Sequence, residues 1–274
     1  MSDQNAKAQI NSVVDAFAAE VAELYNVLAT MDTGFWTARS TFKAWTVWDV
    51  VAHLHLSDHM ALTSIRSAEA FRQLMADLGA APSMREFASN WLMEDGHSIN
   101  GPKLLKRWKN LADELCDALR AADPDERFVW AGPGMKARMF GTARQMETWA
   151  HAWEIFDLMK LPRTHTDRLK NISEIGVRTF GWTFNNRKLP VPEPAPLVRL
   201  TAPSGEIWEW NSATQGHKVE GSAVEFCQVV TQVRNIADTA LQVEGDNAIA
   251  WMAIAQCFAG PPEEPPAPGT RVPA

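Results

Sequence analysis

The stretch Thr142-Ala-Arg-Gln-Met-Glu-Thr-Trp-Ala-His-Ala-Trp-Glu154 predicts a helix with two potential metal ligands on one face. Glu147 and His151 are four residues apart, and side chains with this spacing are neighbours on a helix. The spacing alone is equally typical of a solvated pair. Because most surrounding residues are apolar, however, the carboxylate needs a partner. The sequence therefore indicates a metal site, in which Glu154 could be a fourth ligand or could orient the others.

A second set of potential ligands lies on a helix far upstream. Thr46 and Asp49 have the spacing of a capping box and predict that the helix begins there. The helix then carries His53, His55 and His59. The last two share one face and could chelate a metal together, whereas His53 points elsewhere. Periodicity alone favours the His55/His59 pair, and each of the three histidines could instead be a surface or core residue.

The pattern Trp45-x-x-x-Asp49-x-x-x-His53, followed by Glu147-x-x-x-His151, resembles the metal-binding signature of DinB-like four-helix bundles, especially the mycothiol-dependent maleylpyruvate isomerases. The resemblance extends along most of the chain. It implies that His53, Glu147 and His151 bind the metal and that the other two upstream histidines do not. Three protein ligands leave one position open for water or substrate, as in catalytic zinc sites.

Two histidines and one glutamate suit divalent first-row metals, of which Zn²⁺ is the expected ion. Such an ion lowers the pKa of a bound water or thiol. The resemblance implies a thiol, because the isomerases use mycothiol, which adds to a conjugated double bond, permits rotation and leaves. Cys116, Cys227 and Cys257 lie in apolar helical runs, which predicts packing roles. We therefore expect mycothiol or another low-molecular-weight thiol as cofactor and a small electrophilic molecule as substrate.

Two arginines and four tryptophans are candidates for binding the substrate near the metal. Arg144 lies one helical turn before Glu147 and is a predicted catalytic residue that orients a carboxylate through its planar guanidinium. By the resemblance, Arg234 lies where the isomerases have a functional arginine. A surface or structural ion pair is the alternative for both. Four tryptophans either line an apolar substrate pocket or fill the bundle: Trp45, Trp48, Trp149 and Trp153.

Length, charge and cysteine content narrow the class of protein. The chain has 274 residues, of which 46% are hydrophobic, enough for one large or two ordinary domains. The net charge of -7 offers no basic surface for nucleic acid. Three widely spaced cysteines fit a reducing cytoplasm, the first seven residues do not resemble a signal peptide, and no apolar run is long enough to span a membrane. We expect a cytoplasmic monomer or homodimer with no nucleic-acid or membrane partner.

Apolar residues recur at helical spacing in segments that predict an N-terminal four-helix bundle, and the resemblance implies that this bundle is of the DinB-like up-down type. The segments are 10–28, 49 into the seventies, 101–120 and 142–158, with a fifth helix at 168–184. The proline-rich stretch 189–196 ends this helical region. A hairpin, another strand and two helices are expected beyond it. The predicted fold is therefore mostly α, with a metal-binding bundle at 1–185, a small α+β domain at 186–260 and a flexible tail at 261–274.

These features predict a metal-dependent isomerase or transferase of the maleylpyruvate isomerase type that uses a low-molecular-weight thiol. One alternative is a metal-dependent hydrolase or lyase that activates water and needs no thiol. The other is a non-catalytic protein that binds a small molecule or a metal. The sequence leaves the reaction open.

Overall fold

The computed structural model describes residues 3–271, and the chain divides after Met159 into two compact units. The first unit is helical, with two short hairpins. Its helices are α1 (Asp3–Leu28), α2 (Val47–Arg66), α3 (Ala68–Ala80), α4 (Met84–Trp91), α5 (Gly101–Ala121) and α6 (Ala137–Met159). Its strands are β1 (Met93–Glu94), β2 (His97–Ser98), β3 (Arg127–Phe128) and β4 (Met135–Lys136), paired β1 with β2 and β3 with β4.

Four of these helices form the bundle, in which α1 and α2 each pack against α5 and α6. The apolar positions that predicted the first helix are buried and form one wall of the core: Ile10, Val13, Val14, Phe17, Val21, Leu24 and Leu28. The predicted mostly α fold with a four-helix bundle is therefore confirmed. Within residues 3–271, no helix combines the length and apolarity needed to cross a membrane.

The second bundle helix is shorter than the sequence indicated, because α2 ends at Arg66 and α3 begins at Ala68. Between them Ser67 is extended, and its side chain accepts a hydrogen bond from the backbone N–H of Ala70. A capping serine in this conformation begins a new helix and stops the preceding one. The prediction of one helix from Asp49 into the seventies was wrong.

The segment between α2 and α5 acts as a long crossover. The indole of Trp108 on α5 donates a hydrogen bond to Asp58 on α2. Arg66, eight residues after Asp58, forms an ion pair with Glu114, which is six residues after Trp108. Contacts that advance together along both helices mean that α2 and α5 run parallel. The crossover allows this direction, because α3, α4 and the β1–β2 hairpin return the chain to the other end of the bundle. The consecutive bundle helices α2 and α5 therefore depart from the up-down order expected from the sequence.

The start of α5 packs closely on Trp36. Asn100 caps this helix, and Pro102 occupies its first turn as predicted. A Cβ atom on Gly101 would overlap the indole of Trp36, which is only 3% exposed.

The Gly101→Ala variant should therefore lose about 1–3 kcal/mol of stability by overpacking, measured as a lower thermal unfolding midpoint. Gly79→Ala is the control, since nothing lies within 4 Å of a Cβ there. Equal midpoints for both variants would contradict this packing.

The second unit is an α+β domain. Its helices are α7 (Lys170–Arg178), α8 (Phe180–Asn186), α9 (Ala223–Val230) and α10 (Asp246–Ile254). Its strands are β5 (Leu197–Thr201), β6 (Ile207–Trp210), β7 (Lys218–Ser222) and β8 (Gln242–Glu244), in the sheet order β6-β5-β7-β8. The predicted hairpin is β5–β6, with Leu200 opposite Trp208. The strand pair β5–β7 is parallel, and α9 packs on both strands.

The division between the units comes earlier than the boundary expected near residue 185. Helices α7 and α8 lie in the second unit, where α7 packs on α9 and α8 on α10. The fit is close: a Cβ on Gly176 of α7 would lie 2.9 Å from side-chain atoms of both Phe226 and Val230. The proline-rich stretch is therefore a connection within the second unit.

The described part of the proline-rich tail, up to residue 271, is held by hydrogen bonds within the second unit. The carbonyl of Glu263 accepts a bond of 2.9 Å from Gln232, and that of Pro266 accepts one of 2.8 Å from Asn235. Proline segments have few N–H donors of their own, so side-chain amides supply the contacts. The tail was expected to be flexible, but these hydrogen bonds attach its described part to the second unit. Its last three residues lie outside the described chain.

Candidate metal centre

The capping box predicted at the start of α2 is confirmed. Thr46 Oγ1 accepts a bond of 3.1 Å from the N–H of Asp49, whose carboxylate accepts one of 2.8 Å from the N–H of Thr46. Arg85 of α4 donates to both oxygens of the same carboxylate, at 2.9 and 2.7 Å. Since the first turn of α2 is held at both its backbone and its side chains, His53 is presented from a well-defined helix.

Helices α2 and α6 bring His53, Glu147 and His151 together. Each residue offers one ligand atom, and these atoms all lie within 4.8 Å of one another. Glu147 Oε2 is 3.7 Å from His53 Nε2 and 3.6 Å from His151 Nε2. Among residues 3–271, this is the only group of three or more histidine, cysteine or acidic side chains with such spacing. Glu154 is buried on the same helix and is not part of the group.

The geometry and chemistry of these three side chains fit a divalent metal ion. Ligands at bond lengths of 2.0–2.2 Å around a tetrahedral ion are about 3.4 Å apart, close to the separations found here. Both ring nitrogens of His53 are buried without a hydrogen-bond partner, which is unusual for a buried polar group. An ion between the three side chains would give Nε2 its missing partner.

The charge on Glu147 suits the same role. Burial acts to raise the pKa of this carboxyl, but the nearby His53 imidazole, the Arg144 guanidinium and His151 outweigh burial and lower the pKa to about 2. The side chain is therefore a carboxylate at neutral pH. A carboxylate and two imidazoles are the ligands typical of open, catalytic zinc sites.

A tight turn before α2 places two aromatic rings over the cluster. Trp45 stacks on the imidazole of His151 with ring centroids 5.9 Å apart, and it also lies 5.3 Å from that of His53. Phe42 approaches His151 edge-on at 5.4 Å. The two rings cover one side of the cluster and restrict the orientations open to both histidines.

The backbone of this turn is in an unfavourable conformation. Its two central residues, Lys43 and Ala44, have φ angles of 50° and 53°, and the N–H of Trp45 donates to the carbonyl of Phe42 at 2.9 Å. This is the geometry of a type I′ turn, in which asparagine and glycine are the preferred residues. Left-handed residues without such side chains persist where the surroundings hold them, often at functional sites.

The alternative pair, His55 and His59, packs on a different part of the molecule. The His55 ring stacks on Trp91 of α4 with a centroid distance of 5.2 Å, and the His59 ring lies tilted against the same indole at 4.7 Å. Burial lowers the pKa of His55 to about 4, helped by the positive charges of His59 and Arg107, so its ring is neutral. The three rings form a packing contact between α2 and α4.

Arg144 is buried against a carboxylate of the protein. Its Nε donates to Asp58 at 2.7 Å, and the other oxygen of Asp58 accepts a bond of 2.8 Å from the indole of Trp108. All three side chains are almost inaccessible to solvent. The structural ion pair that was the alternative for Arg144 is thus present, and the orienting of a substrate carboxylate stays a prediction.

The remaining candidates are placed as follows. Arg234 is 1% exposed in the second unit, just after α9, and its role toward a substrate stays a prediction. Of the tryptophans, Trp45 contacts the cluster, whereas Trp48 donates to the carbonyl of Ile99 at 2.8 Å. Trp149 and Trp153 are buried and pack edge-to-face on each other at 6.0 Å. The sequence thus identified one aromatic neighbour of the cluster and overlooked Phe42, although it directly precedes Lys43-Ala44-Trp45.

Comparisons with known proteins found a family model, related sequences and a solved structure to which this chain is similar. The family model described as the mycothiol maleylpyruvate isomerase N-terminal domain matches residues 17–156, which include all three clustered residues. Two uncharacterized proteins of Mycobacterium tuberculosis, from strains CDC 1551 and H37Rv, are each 34% identical over 244 residues, covering 89% of this chain and 94% of theirs. Among solved structures, the crystal structure of the mycothiol-dependent maleylpyruvate isomerase is 15% identical, covers 84% of this chain and 88% of its own, and has a TM-score of 0.49.

Proposed function

The chain belongs to the family of the mycothiol maleylpyruvate isomerase N-terminal domain, and from this membership we propose that its bundle binds one divalent metal ion, Zn²⁺, through His53, Glu147 and His151. We propose further that the protein is an enzyme that uses mycothiol or a similar low-molecular-weight thiol. Its reaction is isomerisation of a small electrophilic substrate or transfer of the thiol to it.

One observation carries this proposal: two imidazoles and a carboxylate from two helices converge with ligand atoms within 4.8 Å. A structural zinc site has four protein ligands, whereas a catalytic one has three and an open position. The convergence of three supports the second kind. When bound there, the ion supplies Lewis acidity, which keeps a thiol in its thiolate form near neutral pH.

The surrounding side chains have roles that do not depend on the identity of the substrate. Trp45 and Phe42 cover one side of the ligand rings and keep water from that side. Glu147 stays ionised and holds a full negative charge toward the ion. The imidazoles of His53 and His151 are held in a fixed arrangement by their aromatic neighbours, which limits the loss of side-chain entropy on metal binding.

The protein's own cysteines are poor nucleophiles. Cys116, Cys227 and Cys257 are all buried. For Cys116, burial raises the pKa to about 12, so the thiolate is scarce at neutral pH. Since the thiolate is the reactive form of cysteine, none of the three takes the place of an external thiol.

The test is a variant in which all three cysteines are alanine, assayed with maleylpyruvate and other small electrophiles in the presence and absence of mycothiol or glutathione. We expect turnover that requires added thiol and bound metal, in the variant as in the wild type. The wild-type protein assayed without thiol is the control.

Three other results would change the proposal. Metal-dependent turnover without any thiol would indicate a hydrolase or lyase that activates water. Metal binding without turnover of any electrophile would indicate a carrier. Loss of thiol-dependent turnover in a folded triple variant would mean that a protein cysteine takes part in the reaction.

A further inference from the structure

Asp58, Arg144 and Trp108 form a buried polar group in the middle of the bundle. The Asp58 carboxylate is completely inaccessible and binds both partners through separate oxygens, at 2.7 and 2.8 Å. The three residues come from α2, α6 and α5, so a single carboxylate links three of the four bundle helices. Asp58 also has an oppositely charged partner, which a buried carboxylate requires.

The position of this group relative to the three candidate ligands is informative. Asp58 is five residues after His53 on α2, whereas Arg144 is three residues before Glu147 and seven before His151 on α6. Moving forward on one helix therefore corresponds to moving backward on the other, so α2 and α6 run antiparallel. The two contacts between these helices lie about 7.5 Å apart along the helix axis.

The two contacts also restrain rotation. Five residues turn an α-helix by one full turn and about 140° more, so His53 and Asp58 leave α2 in different directions. Both reach the same face of α6, since Arg144, Glu147 and His151 are spaced by three, four and seven residues. A rotation of α2 in either direction would separate one of the two side chains from α6.

We infer that Asp58 is a positioning residue for the metal centre. By holding Arg144, it fixes the register and the rotation of α2 against α6 and so keeps His53 opposite Glu147 and His151. This inference rests on the proposed metal site. Buried ion pairs are often dispensable for stability, because well-packed apolar residues can replace them, and their best-attested role is to specify one arrangement of helices.

The experiment measures metal binding in a double variant, Asp58→Asn/Arg144→Met. This change removes both charges together, keeps an amide oxygen as acceptor for Trp108 and leaves no unpaired buried ion. The matched control is Arg66→Gln/Glu114→Gln, which removes an exposed ion pair between α2 and α5. Zn²⁺ affinity is measured by competition with a chromophoric chelator, and the visible spectrum of bound Co²⁺ reports the ligand geometry.

We expect the double variant to stay folded, to bind Zn²⁺ about tenfold to a hundredfold more weakly than wild type, and to show an altered Co²⁺ spectrum, with the control unchanged. The variant removes one positive and one negative charge together, so the net charge beside the site is unchanged and weaker binding reports lost geometry. Wild-type affinity and spectrum in the double variant would overturn the inference. Failure of the wild-type protein to bind Zn²⁺ would instead reject the proposed function. If the double variant does not fold, Asp58→Glu provides the same two measurements, because it keeps the charge and moves the carboxylate.

Discussion

Loss of Zn²⁺ binding is the expected result of replacing His151 with alanine in the proposed site. A four-ligand zinc site in a small peptide contributes about 10–16 kcal/mol, or roughly 3 kcal/mol for each ligand. Removing one of three ligands should therefore weaken Zn²⁺ binding by about a hundredfold or more. The measurement is the zinc content of purified protein, with thiol-dependent turnover assayed in parallel. Both should be lost together.

His59→Ala is the matched control, because it makes the same chemical change on the other histidine face. His59 packs against Trp91 of α4, whereas His53, Glu147 and His151 form the separate cluster. The variant should keep its zinc and its turnover. A full zinc content in His151→Ala, or loss of zinc in His59→Ala, would contradict the assignment and favour the His55/His59 pair.

The His151→Ala protein should also remain folded. The bundle has its own apolar core, with α1, α2, α5 and α6 packed on one another, so metal binding is not needed to form it. The far-ultraviolet circular dichroism of the variant, and of wild type treated with a chelator, should match that of untreated wild type. Unfolding by a chelator at room temperature would indicate a structural metal site instead.

Local patterns in the sequence predicted the bundle helices and the Glu147/His151 pair, because helical spacing is set by the backbone within a few residues. The choice of the third candidate ligand was a different problem. Periodicity along α2 favours His55 and His59, and only the family resemblance selected His53. What distinguishes these histidines is tertiary: α4 brings Trp91 against one face of α2, and the turn before α2 brings Trp45 against the other.

The parts that the sequence did not reveal depend on contacts between distant residues. Asp58 meets Arg144 across 86 residues and Trp108 across 50, and no local pattern distinguishes it from an ordinary helix-surface acid. The turn at Phe42 was overlooked because Lys43 and Ala44 lack the Asn-Gly signature of its type. Likewise, the proline-rich stretch 189–196 looked like a domain boundary, whereas packing of α7 on α9 decides where the second unit begins.

Removing only one partner of the buried Asp58–Arg144 pair should lower the free energy of unfolding far more than removing both partners. In the single variant Arg144→Met, Asp58 loses its positive partner in a position that water does not reach, so folding must either bury an unpaired carboxylate or protonate it. Removing one partner of a buried ion pair typically costs about 3–5 kcal/mol. We therefore expect a large fall in the denaturant midpoint of unfolding at pH 7. Arg66→Met, which breaks the exposed pair with Glu114, should cost only about 0–1 kcal/mol.

The pH dependence of the stability lost in Arg144→Met tests whether the unpaired Asp58 carboxylate is the cause. Burial raises the pKa of Asp58, with Arg144 opposing, so removing Arg144 raises that pKa further. A carboxyl whose folded pKa lies above its unfolded value of 3.8 binds its proton more tightly in the folded state. Stability attributed to this group is therefore present at low pH and lost as the pH rises through the folded pKa. The deficit of Arg144→Met relative to wild type should be largest near pH 7 and should shrink as the pH is lowered toward 5. A deficit independent of pH would mean that lost packing, and not the buried charge, destabilises the variant.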